Sequence, residues 1–257
     1  MSKLITNIKQ LTQIRDKDIS FISAKKMDEL PSISDAYLLI ENGVINDFGK
    51  MSEIPNFGNI ETINAKDKIV LPAWCDSHSH SVHTGNRSDE YMQRIKGASY
   101  QQIAENGGGI LKSSSQINAV SSDDLYTESK NRILSLIKQG TGSLEIKSGY
   151  GLNYESELKM LEVISRLKNS LPIEIKSTFL GAHAIPKNYK KDDYLKLVID
   201  KMLPDFIDKK LVDFVDIFCE ENYFSVDDTK LLCNKAYELG VASKIHTNQF
   251  NSIGGIK

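Results

Sequence analysis

The stretch TGSLEIKSGYGLNYESELKMLEVISRLKNSLPIEIKSTFLGAH, residues 141–183, holds two short apolar runs separated by a longer amphipathic one. In the middle segment Leu158, Leu161, Ile164 and Leu167 recur at three-residue spacing, close to one face of a helix. The flanking runs, TGSLEIKSG and PIEIKSTFLGAH, have the length and apolar content of strands buried on both faces. Strand, helix and strand in this order make a parallel β/α unit.

The same rhythm extends outward in both directions. Strand-like runs recur at KIVLPAWCDSHSH (68–80), VDFVDIFCEE (212–221) and VASKIHTNQ (241–249). Helical segments fall at 123–140, 191–210 and 225–240. In the last of these, SVDD offers an N-cap before TKLLCNKAYELG, and Gly240 a stop. Five such units predict an incomplete (β/α)8 TIM-type barrel, about five of eight strands. A closed barrel takes typically ~250 residues, and residues 69–257 supply fewer, so the chain reads as the front portion of a larger protein.

Residues 1–68 read differently. In DAYLLIENGVINDFGK, residues 35–50, two extended runs flank an Asn-Gly step, a strong hairpin signal. IETINAKDKIV, residues 60–70, shows the same extended-turn-extended pattern. The expected organisation is therefore a small β-sandwich-like module over 1–68 and the first five β/α units of a barrel over 69–257.

Composition narrows the function classes. The 257 residues are 40% hydrophobic and 26% charged, an ordinary globular balance. Lysine and arginine total 32 against 34 acids, a net charge of −2, so nothing points to nucleic acid or an anionic membrane as partner. No apolar run approaches the ~20 residues that span a bilayer, and the first twenty residues lack the apolar core of a signal peptide. Cys75, Cys219 and Cys233 are odd in number and widely spaced, which fits a reduced, cytoplasmic protein.

Polar residues gather at the C-terminal ends of the strand-like runs: His78 and His80, Lys147 and Tyr150, His183, Glu220 and Glu221, and His246. That end of a barrel is where active sites form. Residues i and i+2 of an extended chain point to one side, so His78 and His80 can reach a single ion, and neutral imidazole suits Zn, Fe, Ni or Cu. A solvated loop with incidental histidines is the plainer reading of H-x-H alone. The apolar run before it, and His183 and His246 on the same expected face, favour a site. His83 reads as an exposed or packing residue. Glu145, Lys147 and Tyr150 read equally as a buried ion pair with a packing tyrosine or as pocket residues. Arg87 could clamp a carboxylate in a two-pronged hydrogen bond. NGGGILKSSS, residues 106–115, lacks P-loop spacing and reads as a tight active-site loop whose glycines allow unusual backbone angles. No G-x-S-x-G or other nucleophile motif is present.

Taken together, DSHSH followed by GNR, GGGI, EIKSGYGL, ELKMLEVISRL, TFLGAHAIP, VDIFCE and KIHTNQF resemble the imidazolonepropionase family of the metal-dependent amidohydrolase superfamily. The resemblance runs from about residue 69 to the end and fits residues 1–68 only loosely. It implies that His78, His80 and His246 ligate one Zn or Fe ion. It implies that Arg87, Tyr150, His183 and Gln249 contact 4-imidazolone-5-propanoate, with His183 and Tyr150 in the chemistry, and that the product is N-formimidoyl-L-glutamate. It implies a small-molecule substrate and a homodimer. The family usually has Gly at Ala73, an aliphatic residue at Cys75 and an apolar one at His83. Its barrel also continues through three more strands bearing a further histidine and the aspartate that completes the metal site, and no residue here matches either. The expectation is a cyclic amidohydrolase whose truncated chain has little activity alone. Two other readings stay open: a purine or pyrimidine ring deaminase using the same histidines, and a non-catalytic binding or dimerisation chain.

Overall fold

The computed structural model describes residues 2–15, 19, 21–99, 102–103 and 106–256. They form two compact units, Met1–Ala73 and Trp74–Lys257.

The first unit is one mixed sheet. Strands β1 (Ser2–Thr12), β2 (Ser32–Glu41) and β3 (Val44–Lys50) lie in the order β3-β2-β1, with antiparallel pairing throughout. Asn42 and Gly43 connect β2 to β3 with φ of 53° and 80°. Two successive positive φ values give a turn whose twist matches the flanking strands, which is why the Asn-Gly step closes the hairpin here. The second extended-turn-extended segment resolves otherwise. Strands β4 (Glu61–Asn64) and β5 (Ile69–Val70) both run parallel to β1, one after the other along it, instead of pairing with each other. Ala65 donates to the Thr6 carbonyl at 2.8 Å and Lys9 to the Lys68 carbonyl at 3.0 Å, so the intervening turn is itself pinned to β1. Ile69 and Val70 thus belong to this sheet, separated by Pro72 from the strand that follows. Ile8, Leu11, Ala36, Leu38 and Ala65 form its core.

The second unit carries five parallel strands: β6 (Trp74–Ser79), β7 (Thr141–Lys147), β8 (Glu174–Ala182), β9 (Phe214–Cys219) and β10 (Ala242–Thr247). Spatial order equals chain order. A doubly wound sheet would reverse direction at a switch point. Strictly sequential parallel strands make the wall of a (β/α) barrel.

Helices α1 (Ser88–Ile95), α2 (Gly109–Ala119) and α3 (Ser122–Lys138) separate β6 from β7. Helix α4 (Tyr154–Ser170) separates β7 from β8, and α7 (Val226–Glu238) separates β9 from β10. Between β8 and β9, α5 (Lys191–Leu197) and α6 (Leu203–Asp208) are joined by a π-helical turn over Val198–Met202. Pro204 has no N–H for the ladder and sits in the first turn of α6, directly after that irregularity. Helix starts follow local chemistry. Ser121 accepts from the Asp124 N–H, Asn153 from Ser156, and Ser225 with Asp228 forms a capping box. Gly240, at φ 76°, ends α7.

The expected glycine loop at 106–115 is a helix from Gly109 onward. Ile110 and Ile117 lie seven residues apart and are buried on one face, and the Glu90 carboxylate accepts the Gly109 N–H at 3.0 Å. Helical burial outweighs the glycine content there, and the tight turn is confined to Asn106–Gly108. Among the described residues, no helix is long and apolar enough to cross a membrane.

The core of this unit includes Leu161, Ile164 and Leu167 on α4, all fully buried, with Leu158 at its margin. Phe179 of β8 meets Phe206 of α6 edge-to-face, with ring centroids 5.1 Å apart. Truncating Phe179 to alanine should lower the unfolding free energy by about 3–5 kcal/mol. Urea denaturation measures it, and a loss below ~1 kcal/mol would contradict this packing.

Candidate metal centre

The C-terminal ends of the strands bring the chemistry together. His78 lies in β6 and His80 directly follows it. Tyr150 projects from the turn after β7, His183 follows β8, and His246 lies within β10. The ring of His78 is 4.4 Å from His246 and 5.7 Å from His80, and His80 is 5.9 Å from His246. His78, His80 and His246 each offer one nitrogen, and these atoms all lie within 4.8 Å of one another. His183 stacks on His80 at 5.2 Å. Tyr150 lies 5.1 Å from His80 and 5.4 Å from His183, and the Arg87 guanidinium sits 5.5 Å from the Tyr150 ring centre. The Arg87 Nε and Nη2 also donate to Ser113 Oγ, at 3.2 and 3.0 Å.

The remaining expected residues fall outside this group. His83 is half-buried, and its carbonyl accepts from Arg132 Nη2 at 3.3 Å; the same guanidinium also donates to the Ser81 carbonyl. Gln249 is exposed beyond β10, where its backbone N–H serves the Glu220 carboxylate.

Burial favours the uncharged form of His78, His80 and His183. Burial pushes the pKa of His80 well below its ordinary value, and the neighbouring histidines push it further. Burial also lowers His78, helped by His246, and carries His183 down to about 3. Neutral imidazole is the form that ligates metals.

Behind the rings lies a buried ionic network that the sequence reading reached only in part. The ion-pair reading of Glu145 and Lys147 holds: Lys147 Nζ donates to Glu145 Oε1 at 2.7 Å. It also donates to Asp216 Oδ2 at 2.8 Å, and that same oxygen accepts from His246 Nδ1 at 2.8 Å. Thr178 donates to Glu145 as well, and Lys244 Nζ lies 2.9 Å from its Oε2. Burial alone would raise the Asp216 carboxyl, but the bond from His246 and the Lys147 ammonium outweigh it and hold it at about 2. Asp216 is therefore an acceptor only. It fixes the Nδ1–H tautomer of His246 and leaves Nε2 for a ligand, as carboxylate partners of metal-bound histidines do. The available sequence signal was an acid alternating with Val215, Ile217 and Phe218 in an otherwise apolar strand.

The donor set fits a cation. Three imidazoles converge, one of them is already oriented by a carboxylate, and His80 Nδ1 is buried with no hydrogen-bond partner among the described residues. An ion held among the rings would relieve such a nitrogen. A cavity of about 620 Å³ opens one residue past His183, lined by Ile110, Leu111, Ala184, Ile185, Tyr223 and Phe250 among others.

Two outcomes are expected. Asp216→Asn should weaken zinc binding about 10- to 100-fold, measured against a competing chelator, while unchanged affinity would remove Asp216 from the centre. His183 titrates far lower when folded than unfolded, so the unfolded chain binds more protons below the ordinary histidine value of ~6.5. Stability should accordingly fall as pH drops from ~6.5 toward about 3. His183→Gln should reduce that slope in denaturation curves taken across this window, and an unaltered slope would contradict the assignment.

No family model matches the chain. The imidazolonepropionase of Christiangramia forsetii (strain DSM 17595 / CGMCC 1.15422 / KT0803) is 51% identical over 259 residues, covering 100% of this chain and 63% of that protein. The fold resembles that of 5-methylcytosine deaminase from Klebsiella pneumoniae liganded with 5-fluorocytosine, with TM-score 0.66 and 14% identity over 98% of this chain and 53% of that one. It also resembles atrazine chlorohydrolase TrzN from Arthrobacter aurescens TC1 complexed with zinc, with TM-score 0.56 and 12% identity over 96% of this chain and 53% of that one. At such identities the two structures establish the barrel fold alone. Along its whole length the chain is a relative of the imidazolonepropionases, corresponding to about 63% of the length of the C. forsetii protein.

Proposed function

We propose that His78, His80 and His246 hold one zinc or iron ion, and that the protein hydrolyses 4-imidazolone-5-propanoate to N-formimidoyl-L-glutamate. The observation that carries this reading is the convergence of these three histidines within 4.8 Å, at the C-terminal end of a barrel wall, in a chain 51% identical to an imidazolonepropionase. When bound, such an ion supplies Lewis acidity and makes water a usable nucleophile at neutral pH.

The chain's own residues bind and orient. Arg87 is the cation suited to the propanoate carboxylate, since its planar fork can make two parallel bonds. Its seat between the Ser113 hydroxyl and the Tyr150 ring holds that fork in place. His183 is neutral, and its Nδ1–H is directed at the Gly149 carbonyl at 3.0 Å. That tautomer leaves Nε2 as a hydrogen-bond acceptor, suited to an N–H of the substrate ring. Stabilising a developing oxyanion requires a donor, which His183 in this form does not offer. That part falls to the Tyr150 hydroxyl. Gln249, on the loop after β10, completes the substrate contacts in this proposal.

The test is a comparison of substrates. The purified protein is assayed on imidazolonepropanoate, guanine and cytosine, alongside His78→Ala. Low turnover confined to imidazolonepropanoate, lost in the variant, is expected of this chain by itself, while deamination of either base without it would overturn the proposal. Arg87→Met should raise KM about 10- to 100-fold with a smaller change in kcat, the loss of one charge-assisted interaction made equally by substrate and transition state. An unchanged KM would take Arg87 out of carboxylate binding.

A further inference from the structure

Glu157 takes no part in the chemistry above, yet its carboxylate is wholly buried, at 0% exposure. It sits in the first turns of α4, on the face that buries Leu161 and Ile164. Its Oε1 accepts from the N–H groups of Gly151 at 2.7 Å, Leu152 at 3.0 Å and Gly149 at 3.2 Å, and its Oε2 accepts from Gly149 at 3.0 Å. Among the described residues it makes no ion pair. A buried carboxylate without a cation is costly. Burial raises its carboxyl above the ordinary value, and the Ser148 hydroxyl, the converging amides and the N-terminal end of α4 oppose that rise.

What those amides belong to is the turn that carries Tyr150. Gly149 has φ 98° and Leu152 φ 55°, both in the left-handed region. A Cβ at Gly149 would lie 2.7 Å from the Leu180 carbonyl and 2.9 Å from His183 Nδ1; one at Gly151 would lie 2.4 Å from the Glu157 nitrogen. The turn is thus clamped with α4 on one side and His183 on the other. The Gly149 carbonyl accepts from His183 Nδ1 at 3.0 Å, and the intervening Tyr150 lies against His80 and His183.

We propose that Glu157 is a positioning residue of the site. By gathering the N–H groups of Gly149, Gly151 and Leu152, it fixes the turn that aims Tyr150 at the histidine cluster and turns the Gly149 carbonyl onto His183 Nδ1. It thereby sets which nitrogen of His183 faces the substrate. The inference rests on the site reading proposed above. A carboxylate of this length matches the turn: its backbone partners only donate, so the NH2 of glutamine would oppose the Gly149 N–H that Oε2 accepts, and aspartate is one methylene too short.

The test reads the His183 tautomer directly. The sequence has five histidines, so long-range 1H–15N spectra of histidine-labelled, zinc-loaded protein resolve them, with His183→Gln for assignment. Wild type should show His183 protonated at Nδ1. Glu157→Gln should convert it to a mixture of tautomers and lower kcat/KM about 10- to 100-fold, with zinc affinity kept within about twofold of wild type because His78, His80 and His246 are untouched. Glu157→Asp, which keeps an acceptor-only group, should show a smaller tautomer shift, and it decides the matter if the glutamine variant does not fold. An unchanged His183 spectrum in whichever variant folds would overturn the proposal. So would loss of zinc binding in step with the tautomer change, which marks general collapse. Because the spectrum needs no substrate, a wild type that deaminates guanine or cytosine and not imidazolonepropanoate would count against the proposed reaction and leave the tautomer result to judge Glu157.

Discussion

The Lys147–Asp216 ion pair lies at the centre of everything the barrel wall does. Lys147 is 2% exposed and Asp216 1%. Buried charges of this kind are tolerated only when paired and fully bonded, and removing one partner leaves the other stranded. Here the pair spreads across four adjacent strands. Glu145 and Lys147 stand on β7, Thr178 on β8, Asp216 on β9, and Lys244 and His246 on β10. The network sets two carboxylates against two ammonium groups, and His246 lies at its far end. A feature that reads as strand-to-strand cement therefore also supports the candidate metal centre.

A second constraint acts on the opposite side of the cluster. The turn after β7 must pass between α4 and His183, where glycine is the residue without a Cβ to collide. Its backbone donors are consumed by Glu157 and one of its acceptors by His183. Asp216 orients His246 and the Gly149 carbonyl orients His183. Two imidazoles 5.9 Å apart thus each have Nδ1 tied to a group behind the cluster. Preorganisation of this kind lets a site act without rearranging at the moment of reaction.

Much of this was legible in the chain itself. Period-3.6 and continuous apolar runs placed all five strands and the helices at 123–140, 153–170 and 225–240, because local burial and capping chemistry agree there. Asn-Gly located the hairpin. Local rules failed where a distant partner decided the outcome. NGGGILKSSS became helical from Gly109 because Glu90 takes the first N–H and Ile117 finds a core to enter. IETINAKDKIV gave two strands beside β1 because β1 offered parallel partners that the segment could not reveal.

The site divides in the same way. Sequence alone determined the candidate ligands, since strand periodicity places His78 and His80 on one side and every strand end on one face. It also set Glu145 and Lys147 two residues apart, close enough for an ion pair. Only the tertiary structure decided which groups act on which. Asp216 and Glu157 lie in VDIFCE and ELKMLEVISRL, stretches that show no role for either, and Asp216 alone stands out as an acid among apolar neighbours. Their partners lie 30 residues away at His246 and six at Gly151. Hydrogen-bond direction, tautomer and depressed pKa depend on where the chain folds back, and no spacing along it contains that distance.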